Sequence, residues 1–303
     1  MPINFDFENV NITEFGLGLD SPNRGFVFVP VDEVVQKSLV EMVSFTKTQM
    51  QDKASSMATY QPSEKYSSIE YLTFSINDPL VQELKTLHES ENVPEDCSAF
   101  DNINQCFAYF VKLTDNNQQR ITAVRRSTQF KTLIKKRHRL VQYVDNTLKS
   151  LEETVFKLDN DFDFIIQNDL IHILRPSGLE FTAQLQKAIM DAVPANIASI
   201  ASEIDFVNFD SISQYAQNHS RAARYIASIK SQSEAIKISQ DKLERYCEKT
   251  NVVTNIVDGK INLDSSQIMG FLEVLDRRRY EIDLKDDGES EVYRAPSRSR
   301  VTS

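Results

Sequence analysis

The chain has 303 residues, 34 Lys+Arg against 44 Asp+Glu, a formal net charge of −10 and 41% hydrophobic residues, which places it with ordinary globular chains and away from disordered ones. Its seven glycines fall in neither G-x-G-x-x-G nor G-x-x-x-x-G-K spacing, which argues against a dinucleotide enzyme or a P-loop ATPase. Three cysteines and four histidines are scattered, suiting neither a disulfide framework nor a zinc site, so no metal or cofactor is expected.

In chain order, residues 11–19 and 25–29 read as a hairpin broken by the turn formers Asp20-Ser-Pro-Asn-Arg. Pro30 and Asp32 then open a helix with Val35, Leu39, Met42, Val43 and Met50 at helical spacing and Asp32 as its cap. A loop over 55–68 precedes a strand at 69–76, and a further helix follows Asp78-Pro79. From 106 to 167 the apolar period is two, and strands are expected at 106–113, 121–126, 139–144, 155–158 and 162–167 in an antiparallel sheet. The clearest hairpin joins Phe162-Asp-Phe-Ile-Ile to Leu170-Ile-His-Ile-Leu, with positive φ available at Asn168-Asp169.

After Ser177 the pattern turns helical. Ser177 and Glu180 stand three apart as in a capping box, and Leu185, Ile189, Ala192 and Val193 line one face up to Pro194. Helices follow at 210–219, 220–230 and 239–250, and another, capped by Asp264 or Ser265, carries Ile268, Phe271, Leu272 and Leu275. Short strands are expected around Gly259, at 280–284 and at 291–295. The fold class is α+β: a mixed N-terminal half, a central antiparallel sheet and a mainly helical C-terminal half. The domains are placed at 1–150 and 151–303.

Charge is segregated along the chain. Residues 120–150 hold nine basic and one acidic side chain, net +8, against net −11 before them and −7 after. Arg125, Arg126, Lys131, Lys135, Lys136, Arg137 and Arg139 are the candidate phosphate contacts, since such a run neutralises a duplex backbone and releases counterions, while an acidic remainder confines binding to one face. A solvated loop, a strand edge kept basic against self-association, or pairing with the acidic N-terminal half is the alternative. Arg221 with Arg224, and the triplet Arg277-Arg278-Arg279, could extend the patch, whereas Arg294, Arg298 and Arg300 could touch phosphate or a partner protein or be plain solubilising charge. Arg277-Arg278-Arg279 read as dipole stabilisation after a helix.

Asp159, Asp161 and Asp163 resemble the start of a calcium loop, but Phe164 and Leu170 replace the Gly and Glu such a loop needs, and a turn is the better reading. Asp283 and Lys285, with Asp258, would be the parts of a Mg²⁺-dependent nuclease, the enzymatic alternative. No nucleophile constellation stands out, and His172, alternating within an apolar strand, reads as a satisfied core histidine.

Phe162-Asp-Phe-Ile-Ile-Gln-Asn-Asp-Leu-Ile-His-Ile-Leu followed by Gly178-Leu-Glu-Phe resembles the KwaB-like family of the Kiwa anti-phage defence system, as do Gly270-Phe-Leu-Glu-Val-Leu-Asp and Tyr293-Arg-Ala-Pro-Ser-Arg. The likeness is best from about Lys157 onward and rests on element order alone over 1–150. It implies a non-enzymatic, double-stranded-DNA-binding cytoplasmic effector, homodimeric, without a small-molecule substrate, and recruited to the inner membrane by a multi-span partner, KwaA. A protein-interaction adaptor without a nucleic-acid role is the remaining alternative.

Overall fold

The computed structural model describes residues 3–20, 24–53, 57–64, 66, 70–91, 95, 105–127, 141–144, 147–150, 156, 158–232, 237–282 and 290–295. Two compact units result: Met1–Thr59 with Ser68–Leu185, and Tyr60–Ser67 with Gln186–Ser303. The division falls after Leu185 rather than after residue 150, because strands C-terminal to 150 pair into the sheet of the first unit.

That sheet combines strands β1 (Val10–Leu19), β2 (Gly25–Val29), β3 (Met57–Thr59), β4 (Tyr71–Ser75), β5 (Cys106–Asp115), β6 (Arg120–Arg126), β9 (Phe164–Gln167) and β10 (Leu170–Ile173) in the order β2-β1-β5-β6-β9-β10-β4-β3. The antiparallel pairing expected over 106–167 forms between β5, β6 and β9, and two readings are corrected. Residues 57–59, within the loop expected over 55–68, form β3, which pairs parallel with β4. Strand β7 (Val141–Val144) pairs with β8 (Thr147–Ser150) in a separate hairpin, outside the sheet. Of the strand expected at 155–158, residues 155 and 157 lie outside the described residues, and Phe156 and Leu158 pack on the core without strand pairing.

Alternation decides which side chains point where. Phe15, Leu17, Tyr109, Val111, Leu113, Ile121, Ala123 and Ile165 form one face and pack with Leu39, Val43 and Met50 of helix α1 (Glu33–Asp52). Each such large apolar side chain contributes about 1.5–3 kcal/mol through burial. Asp32 caps α1 as expected, accepting from the Val35 N–H at 2.8 Å. On the other face Phe110 lies across Gly16, where a Cβ would meet the ring at 2.3 Å. Phe26 and Phe28 flank it with centroids at 5.5 and 5.7 Å. Helix α2 (Gln82–Glu89) is tied to this face through His88 Nδ1 and Thr122 Oγ1 at 2.9 Å, and Lys112 Nζ donates to the Ser90 carbonyl at 2.6 Å.

The β9–β10 hairpin forms as expected, with Asn168 at φ 52°. Its His172 is 2% exposed, with Nδ1 2.7 Å from the Tyr71 hydroxyl. Burial pushes its pKa down from 6.5 to about 4, so the folded ring is neutral. A lowered imidazole pKa stabilises the fold above pH 6.5 and loses that contribution as pH falls toward 4, where only the unfolded chain takes up the proton. The loss for His172 is about 3 kcal/mol. Urea titrations between pH 7 and 4 are expected to show a shallower decline in His172→Gln than in the parent. Identical declines would remove the assignment.

In the second unit, helices α5 (Val193–Ala201), α6 (Asp210–Ala216), α7 (Ser220–Lys230), α8 (Gln240–Lys249) and α9 (Ser265–Leu275) bury Ile197, Ile200, Ile212, Ile226, Ile229, Leu243, Ile268 and Phe271. Hairpins β11 (Asn255–Val257) with β12 (Lys260–Asn262), and β13 (Arg279–Ile282) with β14 (Glu291–Arg294), complete it. The helix expected from Ser177 to Pro194 is three: α3 (Pro176–Thr182), α4 (Leu185–Asp191) and α5. The break comes at Gln184, whose φ is 50°. Pro194 sits in the first turn of α5, where its missing N–H costs nothing. Pro176 likewise starts α3 one residue before Ser177, so the side chain of residue 175, not Ser177, stands at the cap and no capping box forms. Among the described residues no helix is long and apolar enough to cross a membrane.

Candidate nucleic-acid interface

Strand β6 carries the start of the basic segment, and the pleat splits its two last residues between faces. Arg125 pairs with Tyr109 and so shares the face that packs on α1, whereas Arg126 pairs with Ala108 on the opposite face. The segment 158–163 then brings three carboxylates to Arg125. Its Nε lies 3.2 Å from Asp159 Oδ2, and its Nη1 lies 3.1 Å from Asp161 Oδ1 and 2.9 Å from Asp163 Oδ1. Arg175, just before α3, adds Nη2 to Asp161 at 2.5 Å and Nη1 to Asp163 at 3.5 Å.

The network is locked from several sides. Asp163 Oδ2 accepts the Arg126 backbone N–H at 2.8 Å, and the Asp159 N–H donates to the Tyr109 hydroxyl at 3.0 Å. The Phe162 N–H donates to Thr46 of α1 at 2.9 Å. Gly178 is required here, since a Cβ would come within 2.3 Å of the Asp163 carboxyl carbon. Burial by itself would lower the Arg125 pKa, but Asp163, Asp159 and Asp161 raise it above its usual value, so the guanidinium is fixed as a cation. Burial pushes the Asp163 carboxyl up, against the pull of the Arg126 N–H and the two guanidiniums. Among the described residues the network sets three carboxylates against two guanidiniums.

Arg125 is therefore engaged in internal ion pairs with these three aspartates. Arg126 lies over the Phe181 ring at 3.8 Å, with its Nε buried and without a hydrogen-bond partner. Arg120 sits 3.5 Å from Glu91 at the surface. Lys131, Lys135, Lys136, Arg137 and Arg139 lie outside the described residues, between the end of β6 and the start of β7.

The described arginines of the smaller basic features make internal contacts. Arg221 Nη2 lies 2.9 Å from the Tyr225 hydroxyl and 3.8 Å from Glu273, and Arg224 donates to the Pro62 carbonyl at 2.7 Å. Of the arginine triplet, Arg277 takes the left-handed conformation after α9 at φ 55°, Arg278 is fully buried against Asp276 at 2.5 Å, and Arg279 pairs with Glu273 at 2.9 Å. Arg294 reaches the same Glu273 at 3.4 Å. Internal pairing thus replaces dipole stabilisation as the account of Arg278 and Arg279. Arg298, Arg300, Asp283 and Lys285 lie outside the described residues, and Asp258 occupies the β11–β12 turn at φ 51°.

Asp159, Asp161 and Asp163 are the residues whose role the sequence hid. Their recurrence at every second position was the available signal, since it puts three carboxylates close together beside a strand, where a cation must meet them.

A family model described as "Kiwa protein KwaB-like" matches residues 103–284. The match covers more than half of the chain, from the start of β5 past β13, and includes the whole basic segment. No curated protein and no solved structure matches.

Proposed function

The chain belongs to the KwaB-like family of the Kiwa anti-phage defence system, and from that premise we propose that it is a DNA-binding effector that retains duplex DNA without cleaving it. One observation carries the reading: the +8 segment 120–150 stands in a chain whose remainder is net −18, and it lies inside the family match. With Arg125 neutralised internally, the phosphate contacts fall to Lys131, Lys135, Lys136, Arg137 and Arg139, with Arg126 beside them. Contacts of this kind bind any sequence and weaken steeply with salt, by a slope of roughly −0.9 per phosphate neutralised.

The protein acts as a homodimer recruited by a multi-span membrane partner, KwaA, an extension that rests on family membership. Sedimentation velocity tests the dimer, and co-purification from a membrane extract tests the recruitment.

Replacing Lys135, Lys136 and Arg137 together by Glu is expected to weaken duplex binding by at least about 100-fold at 0.1 M salt and to flatten its salt dependence, with circular dichroism unchanged. Mobility shift across a salt series reads both. Unchanged affinity in the triple variant would end the assignment. Plasmid incubated with the parent protein and Mg²⁺ is expected to be retarded and remain supercoiled, whereas nicking would favour a nuclease.

A further inference from the structure

The second unit holds a groove that the duplex-binding segment leaves unexplained. It has a volume of about 420 Å³ and lies among residues 237–246 and 274–280. Its floor is apolar: Leu243 of α8 and Leu275 of α9 are 1% and 9% exposed. Its rim is cationic and aromatic. Lys237, Lys242 and Arg277 are exposed, and none of the described residues lining it is acidic.

Lys242 and Tyr246 stand four apart on α8 and so share a helix face. Tyr246 is 48% exposed and Tyr280, across the groove on β13, 43%. Tyr280 stacks on Tyr293 at 6.1 Å with rings 23° apart, which holds one aromatic wall in place. Arg279 is fixed by Glu273 and by the Thr250 carbonyl, which accepts from its Nη1 at 3.0 Å, so this wall is braced from below.

Tyrosines left this open to water beside unopposed ammonium groups match one ligand chemistry: a flat aromatic ring bearing phosphate. The apolar floor and tyrosine faces accept the ring and the lysines accept the phosphate. The volume suits a single such unit. We propose that this groove binds a nucleotide unit, either as a free nucleoside monophosphate or as one residue of a single strand, with Tyr246 and Tyr280 contacting the base and Lys237 and Lys242 the phosphate. The site is separate from the segment 120–150 and does not depend on it.

Isothermal titration of the full chain with adenosine 5′-monophosphate, a twelve-residue oligothymidylate, inorganic phosphate and an acidic octapeptide tests this. Binding of the monophosphate is expected to be at least about tenfold tighter than that of phosphate. Lys242→Glu and Tyr246→Ala are each expected to weaken it about tenfold, and Tyr246→Phe to retain it, since the stacking face survives. The variant reversed at Lys135, Lys136 and Arg137 is expected to bind it unchanged, which keeps this site distinct from duplex binding. Competition by the oligothymidylate identifies strand as a source of the nucleotide unit, and its absence identifies the free nucleotide. Equal binding of monophosphate and phosphate, indifference to both Lys242→Glu and Tyr246→Ala, or binding of the acidic peptide alone would overturn the proposal.

Discussion

Asp276→Ala is expected to lower the stability of the second unit by about 3–5 kcal/mol, because it removes the buried carboxylate that pairs with a buried guanidinium. Asp276 and Arg278 are both 0% exposed, joined at 2.5 Å. Ser228 Oγ donates to the second carboxylate oxygen at 2.7 Å. Arg278 also reaches Ser63 Oγ at 3.1 Å and lies 5.1 Å from the Tyr225 ring. Urea unfolding followed by circular dichroism measures the loss. The double replacement Asp276→Leu with Arg278→Met separates pairing from packing, since removing both charges costs far less than removing one. A double variant no more stable than Asp276→Ala would show that shape, and not charge, dominates at this position.

Arg125→Ala is expected to cost the first unit about 3–5 kcal/mol, nearer the lower figure because Arg125 and Asp159 keep 17% and 20% side-chain exposure. The variant leaves Asp159, Asp161 and Asp163 facing one another with Arg175 as the remaining cation among the described residues. Protonation relieves that repulsion, so the difference from the parent should shrink as pH falls toward the carboxylate range. Arg125→Lys is expected to recover only part of the loss, because an ammonium cannot offer the guanidinium's planar set of donors to three carboxylates. DNA binding supplies the functional contrast. At temperatures where the variant stays folded, its salt slope should equal the parent's, because this guanidinium neutralises aspartates and no phosphate. A slope reduced by about one would return Arg125 to the DNA-contacting set.

What the sequence determined by itself is local. Period-two alternation with Asn168 at the turn specified the 162–173 hairpin, and Asp32 followed by apolar residues at helical spacing specified α1. These signals work because hairpin turns and helix caps are decided by residues a few positions apart. The charge segregation and the family likeness were equally legible. Sheet order was not. Strand β6 lies beside β9 across residues 127–163, and only that pairing sets Arg125 against carboxylates 34, 36 and 38 residues away. Nothing near Arg125 in the chain distinguishes it from the basic residues that follow, so composition grouped them together. The tertiary structure separates Arg125 from Arg126, because a sheet has two faces and the cost of a buried, unpaired charge forces the inward-facing arginine to find its aspartates.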